Sequence, residues 1–436
     1  MTAGMSQARK RGAPNVVRRG LFRALAVVGA CTLGIVGMAP AAIAADDVRS
    51  KQWYLDAMNA EDIWKSATGK GIKVAVIDTG VNPSTPSLRG QVLEGFDASE
   101  TEGEATDDYN GHGTTMAELI AGTGEGGGLR GLAPDAKIIP MRITNTDLQN
   151  KKKVNAQDSE DAIRAAADSD AQIINMSFGS EYANMGESDA VKYAQSKGKL
   201  FFAGVGNSAK EGNKKQYPAS YSQVVGVAAT DTDGKVADYS QHGEFVDIAA
   251  PGSNLPRWCD ANFKSYCFGS NGTSAATAIA SASAALIWSA NPDWTANQVL
   301  RVMFESAGRS EDSKPGTVSN YVGHGIVRPG AHINRGVGKP GDPNLSPLTN
   351  ERTPGSPGAP GSSESSASAG SSAPSESASE PAAGASEAPE GDKAVAAGAS
   401  KSTEDDSQLG LILGGAAVVV VLAGGAFFFL RKRRTV

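Results

Sequence analysis

The sequence KVAVIDTG at residues 73–80 decides the fold class. It opens with an apolar run of the length and composition of a buried strand, and Asp78 follows at once before a Thr-Gly turn. Segments with helical spacing occur at 159–167 and 189–197, between further strand-like runs at 137–141, 172–176, 200–205 and 224–228. Strands that alternate with helices predict an α/β fold with a mostly parallel central sheet and helices on both faces.

Side chains that could take part in catalysis lie at the carboxyl ends of the predicted strands, where sheets of this kind bind their ligands. Asp78 ends the first strand, His112 lies between two glycines in NGHGTT (110–115), and Ser274 opens an alanine-rich run. Each has an ordinary reading by itself, because Asp often starts a turn and Ser often caps a helix. The two glycines let the backbone approach closely around the imidazole, which a core histidine would not need.

Together these residues follow the order Asp, His, Ser of the subtilisin arrangement. The segments VAVIDTGV, NGHGT, INMSFGS, GVGNS, DIAAPG and NGTSAA also occur in the family's order, so residues 52–334 resemble a subtilase catalytic domain. The resemblance implies a subtilisin-like fold and a serine endopeptidase that cleaves proteins or peptides. It assigns Asp78, His112 and Ser274 to the catalytic triad.

The same resemblance implies the other site residues. Asn207 and the backbone N–H of Ser274 match the two oxyanion donors, residues 177–179 (Ser177, Phe178 and Gly179) match the substrate-binding edge, and Gln216 lies near the floor of the specificity pocket. A turn residue at Asn207 and a core residue at Phe178 are the alternatives. The implied mechanism needs no metal or other cofactor, and residues 107–108 (Asp-Asp) leave structural calcium open.

Two features depart from the general subtilase pattern. Ala275 and Ala278 stand where the family's serine motif usually has Met and Pro, which we interpret as changes in local packing. Too few residues separate the predicted signal cleavage site from the start of the catalytic domain at Trp53 to hold an inhibitor-type propeptide. Together with the predicted C-terminal anchor, this feature makes the chain resemble the mycosins, membrane-anchored proteases associated with type VII secretion in actinobacteria.

Both ends of the chain predict export and anchoring. Residues 1–44 have a basic start, an apolar run and an A-x-A site, as in a signal peptide. Residues 45–336 form the predicted peptidase domain, residues 337–408 a disordered Pro/Ser/Ala/Gly linker, and residues 431–436 a basic cytoplasmic tail. The charge-free residues 409–430 would form a helix of about 33 Å, enough for a single membrane span.

Charge and cysteine content agree with this topology. The net charge of −6 hides basic ends and an acidic middle, which excludes a basic nucleic-acid binder and places the catalytic domain outside the cytoplasm. Of the 3 cysteines, Cys31 lies in the signal segment. Cys259 and Cys267 would close a short loop, and in an exported protein the simplest interpretation is a disulfide.

The leading hypothesis is therefore a cell-membrane serine endopeptidase whose partners are its protein substrates and membrane-embedded type VII secretion components. The alternative is a scaffold subunit that stabilises a secretion complex, with proteolysis secondary or absent. The four residues Asp78, His112, Ser274 and Asn207 favour the enzyme, because a scaffold has no physical reason to keep all of them.

Overall fold

The computed structural model describes residues 46–153, 158–309 and 317–353. Seven strands form one parallel sheet in the order β2-β3-β1-β4-β5-β6-β7, and β8 and β9 form a separate antiparallel hairpin. The strands are β1 (Lys73–Asp78), β2 (Phe96–Asp97), β3 (Lys137–Arg142), β4 (Ile173–Met176), β5 (Leu200–Gly204), β6 (Val225–Thr230), β7 (Ile248–Pro251), β8 (Leu255–Trp258) and β9 (Tyr266–Ser270).

The α-helices of the described residues number ten. In chain order they are α1 (Asp46–Ser50), α2 (Trp53–Ala57), α3 (Ala60–Ile63), α4 (His112–Ala121), α5 (Thr146–Lys152), α6 (Asp158–Asp168), α7 (Met185–Ser196), α8 (Thr273–Ala290), α9 (Ala296–Ser306) and α10 (Pro329–Ile333). The predicted alternation of buried strands and helices is thereby confirmed.

Both faces of the sheet are covered. In β1, Val74 and Val76 pack into one core with α4, α8 and α9, while Ala75 and Ile77 pack into the other with α6 and α7. Because successive side chains of a strand point to opposite faces, a strand between two helical layers must be apolar at every position. That is why the run at 73–77 shows no alternation of polar residues.

Helix α8 is the central element of the domain. It packs against β4, β5, β6 and β7, and nearly every side chain along it is buried. In the described part of the chain it is the one helix long and apolar enough to cross a membrane, but 83% of it is buried inside the domain. The predicted membrane span at 409–430 and the predicted signal segment at 1–44 lie outside the described residues.

The compact part of the protein extends past the predicted start of the linker at 337. The backbone carbonyls of Pro343 and Leu345 accept hydrogen bonds from Asn297 (2.9 Å) and Arg301 (3.1 Å) of α9. Glu305 accepts from the backbone N–H of Lys339 at 2.8 Å. The Pro/Gly-rich composition hid this segment, residues 337–353, because most of its hydrogen bonds to α9 use backbone groups that any sequence carries.

The hairpin of β8 and β9 is fastened to α4 by polar contacts. Glu118 of α4 is fully buried and accepts hydrogen bonds from Tyr266 of β9 (2.7 Å) and from Thr85 (2.8 Å). Cys259 and Cys267 form a disulfide across the hairpin, which confirms the predicted pairing. Burial raises the pKa of Glu118 to about 7, although these hydrogen bonds act in the opposite direction.

The raised pKa makes the stability of the domain depend on pH. A folded-state pKa of about 7 against 4.5 in the unfolded chain favours the folded state below pH 4.5. That contribution is lost as the pH rises to about 7. We expect Glu118→Gln to remove this loss, on the order of 3 kcal/mol, so that the variant unfolds at higher urea than the wild type at pH 8. Exposed Glu61→Gln is the control, and equal pH slopes for wild type and Glu118→Gln would contradict the assignment.

Candidate active site

The carboxylate of Asp78 and the imidazole of His112 are held together at the carboxyl end of β1. The Oδ1 atom of Asp78 lies 2.7 Å from Nδ1 of His112 and accepts a second hydrogen bond from the N–H of Thr79 at 2.8 Å. Asp78 is 4% exposed, whereas the His112 side chain is 35% exposed. One ring nitrogen is thus fixed by a buried carboxylate while the ring reaches the surface.

Two glycines allow this approach, as the sequence predicted. A Cβ atom at Gly113 would come within 2.2 Å of the carbonyl oxygen of Gly80 and 3.0 Å of the Asp78 Cβ. Gly111 has φ of 93°, a left-handed conformation that favours glycine. A side chain at Gly113 would therefore push the start of α4 away from the end of β1, and one at Gly111 would collide with the carbonyl oxygen of Asp260.

Asp108 organises the turn that precedes His112. Its Oδ1 accepts hydrogen bonds from Thr79 Oγ1 and from the backbone N–H groups of Asn110 and Gly111, at 2.8 to 2.9 Å. Its Oδ2 accepts from the N–H (2.9 Å) and the hydroxyl (2.6 Å) of Thr114. The carboxylate that the sequence left open as a calcium ligand thus satisfies the N–H of Gly111, just before α4, and the third N–H of the helix.

These charges set the protonation of His112. Burial lowers the pKa of the ring, but the charge and hydrogen bond of Asp78 and the charge of Asp108 raise it by more. The net pKa lies above the ordinary value of 6.5. The ring therefore takes up a proton more readily than a free imidazole does.

Ser274 and Asn207 meet at the N-terminus of α8. Asn207 Oδ1 accepts hydrogen bonds from the N–H of Thr273 (2.8 Å) and from its hydroxyl (3.1 Å). This orients the amide so that Nδ2 points away, and among the described residues Nδ2 has no partner. A Cβ atom placed on Gly272 would lie 3.9 Å from both Asn207 Nδ2 and the N atom of Ser274. Two N–H donors therefore flank one small volume.

The hydroxyl of Ser274 is hydrogen-bonded to Ser177 in this structure. It donates to the carbonyl oxygen of Ser177 at 3.3 Å, and within the described residues no hydrogen bond joins it to the imidazole. Catalytic hydrogen bonds are commonly long or misaligned without substrate and shorten when it binds. The structure thus brings Asp78 and His112 into contact and leaves the third predicted residue pointing towards Ser177.

The predicted substrate-binding residues line one pocket beside Ser274. Its volume is about 210 Å³, and it is bounded by Ser177, Phe178, Gly179, Gln216 and Asn207 among others. Phe178 also packs against the core on the α6 and α7 side, as its alternative interpretation expects, and its substrate-binding role stays a prediction.

Two glutamine side chains line this pocket. Gln216 lies against Gly179, and a Cβ atom at Gly206 would come within 1.8 Å of Gln241 Oε1 and 2.7 Å of Gln216 Cγ. Gln241 is buried and was missed by sequence reasoning, because nothing in the surrounding SQHGEF distinguishes it from a loop residue.

Comparison with known proteins gives this geometry a context. A sequence model described as the subtilase family, peptidase S8, matches residues 69–325. Thermitase of Thermoactinomyces vulgaris is 35% identical over 230 residues, which cover 52% of this chain and 78% of thermitase.

Solved structures of mycosins superpose on the chain. The crystal structure of MycP1 from Mycobacterium smegmatis has a TM-score of 0.56 at 26% identity and covers 67% of this chain and 86% of its own. The structure of the MycP3 protease from the type VII (ESX-3) secretion system has a TM-score of 0.53 at 28% identity, covering 65% of this chain and 88% of its own.

The raised pKa of His112 can be measured directly. The chain has 4 histidines, so ring-labelled protein gives few signals, and that of His112 is assigned by its loss in His112→Ala. We expect its titration midpoint above 6.5 in the wild type and a lower midpoint in Asp78→Asn, because burial then acts without the opposing carboxylate. Asp107→Asn is the control, since Asp107 binds the N–H of Glu104 instead. An unchanged midpoint in Asp78→Asn would show that the pair does not set the pKa.

Proposed function

The chain belongs to the subtilase family of serine endopeptidases, and on this basis we propose that it is an exported, membrane-anchored protease that acts through Asp78, His112 and Ser274. The observation that supports the assignment most strongly is the partly buried hydrogen bond of 2.7 Å between Asp78 and His112. It lies at the same sheet edge as a serine whose backbone N–H shares a small volume with an asparagine amide.

In the proposed mechanism, Ser274 attacks the scissile carbonyl after its hydroxyl turns from Ser177 to His112. His112 accepts the hydroxyl proton and later donates it to the leaving amine. Asp78 holds the Nδ1 tautomer and stabilises the protonated ring. The raised pKa of His112 suits a base whose conjugate acid must persist while the tetrahedral intermediate exists.

The oxyanion of that intermediate would lie between Asn207 Nδ2 and the N–H of Ser274. Both donors are fixed before substrate binds, Asn207 by Thr273 and the Ser274 amide by helix α8. Donors that need no reorganisation are typically worth about 3–4 kcal/mol each in transition-state stabilisation. The acyl-side residue of the substrate enters the pocket of 210 Å³ beside them, where Gln216 presents a polar floor.

We further propose the cellular setting. A signal peptide at 1–44 exports the chain, residues 409–430 span the membrane once, and the basic tail at 431–436 stays in the cytoplasm. The mycosin structures, described as proteases of type VII secretion systems, support a role beside membrane-embedded secretion components. Because residues 337–353 contact α9, we exclude them from the proposed linker.

A serine-directed reagent tests the catalytic assignment. We expect a fluorophosphonate to label the full-length protein in detergent on Ser274, and Ser274→Ala to lose both labelling and peptide hydrolysis. The loss in turnover should be on the order of 10⁶-fold. Ser208→Ala, an exposed serine of the same pocket, is the matched control and should keep labelling. Hydrolysis that persists in Ser274→Ala would refute the triad. Ser274→Ala that still supports secretion in cells would favour the scaffold alternative.

The anchor is tested by ending the chain after Thr353. Because residues 337–353 pack on α9, this truncation keeps the whole described domain, whereas ending at 336 would remove part of it. We expect a soluble protein with kcat/KM near that of the full chain, since a flexible linker changes only location and effective concentration. In cells it should be released and fail to support function. An inactive truncated domain, or full function without the anchor, would contradict the proposal.

A further inference from the structure

The β8–β9 hairpin forms the wall of the site on the His112 side. Trp258 donates its backbone N–H to Thr115 Oγ1 of α4 at 3.1 Å. A Cβ atom at Gly111, the residue before His112, would come within 2.9 Å of the carbonyl oxygen of Asp260 at the hairpin tip. The hairpin backbone therefore lies directly against the turn that carries the imidazole.

Arg257 is an exposed cation on this hairpin. Its neighbour Trp258 is buried and stacks on Tyr266 with ring centroids 3.9 Å apart, so Arg257 points to the opposite, exposed face of the strand. Its side chain donates to the carbonyl oxygen of Trp258 at 3.0 Å. Within the described residues it makes no ion pair, and the nearby carboxylate of Asp260 accepts from the backbone N–H of Asn262 instead.

The positive charge of Arg257 influences the pKa of His112. Burial is the largest influence on the pKa of His112 and the Asp78 carboxylate the next, but the positive charge of Arg257 also acts on it, in the lowering direction. Together with the backbone contacts, this places the guanidinium within electrostatic reach of the ring.

The direction in which a substrate chain crosses the site follows from the proposed function, on which this inference rests. The acyl-side residue occupies the pocket formed by Ser177, Gln216 and their neighbours, and that pocket includes neither His112 nor any hairpin residue. His112 gives its proton to the leaving amine, so the substrate residues after the scissile bond depart past His112. The surface that they meet there is the hairpin.

We propose that Arg257 binds a substrate carboxylate on the leaving-group side of the scissile bond, and that the protein therefore prefers substrates with Asp or Glu shortly after the cleaved bond. An exposed arginine with no carboxylate partner in the described structure can form such a pair without breaking another one. Exposed ion pairs of this kind typically change binding by about two- to five-fold and weaken in salt.

The test uses the full-length protein in detergent and quenched fluorescent peptides with one common acyl side. The peptides carry Asp, Ala or Lys at each of the first three positions after the scissile bond. We expect the Asp peptide to exceed the Ala peptide in kcat/KM by about two- to five-fold at one position at least, and less at high salt. The Lys peptide should be cleaved more slowly than both.

Variants then identify the residue. Arg257→Ala should abolish the preference, so that it cleaves the Asp and Ala peptides with equal kcat/KM, and Arg257→Glu should reverse it in favour of Lys. Lys264→Ala removes a charge from the same hairpin and should keep the preference. The peptides are compared within each variant at one pH, so that any change in the pKa of His112 affects all of them equally.

Each failure has a distinct meaning. If the wild type cleaves acidic and neutral peptides equally, or if Arg257→Ala keeps the preference, the inference about Arg257 is wrong while the protease assignment stands. If Lys264→Ala loses the preference as fully as Arg257→Ala, the hairpin acts through its overall charge and the specific role of Arg257 is refuted. If no peptide is cleaved and no fluorophosphonate label appears, the proposed function fails and this inference fails with it.

Discussion

Close packing of helix α8 against the sheet is the constraint from which the arrangement of the site follows. The helix can lie against β4, β5, β6 and β7 at once because its buried positions are mostly alanine and serine. A Cβ atom at Gly204, the last residue of β5, would come within 2.9 Å of Thr273 Oγ1. The first turn of α8 therefore touches the ends of β4 and β5, and Ser274 meets Ser177 and Asn207 as a result of core packing.

The two halves of the site are stabilised by separate networks. One half is the end of β1 with the start of α4, where Asp78 and Asp108 hold His112. The other half is the start of α8 with Asn207. No hydrogen bond between Ser274 and His112 joins them in the described residues. In the proposed mechanism the bound substrate connects the two halves, because it contacts both the pocket beside Ser274 and the imidazole of His112.

The sequence was sufficient to predict those features that depend on a local pattern of residues. Buried strands, the glycines around His112 and the disulfide could be predicted because apolar runs, flanking residues and spacing report them directly. Helix α7 begins at Met185, four residues before its predicted start, because the side chain of Asn184 caps it. Glu118, Gln241 and Arg257 could not be predicted, since their roles depend on contacts with segments far away in the chain. The attachment of residues 337–353 was hidden for a related reason, because most of its hydrogen bonds to α9 use backbone groups.

That attachment determines how mechanical force would enter the domain. Tension applied to the chain beyond Thr353 is first carried by the hydrogen bonds between residues 337–353 and α9. Helix α9 packs on α8 and α10, on one face of the sheet, so the load is distributed into the hydrophobic core. The loops at the carboxyl edge of the sheet, which carry His112 and Asn207, are not part of that path. A pull on this segment is therefore transmitted into α8, whose first turn carries Ser274, before it reaches those loops.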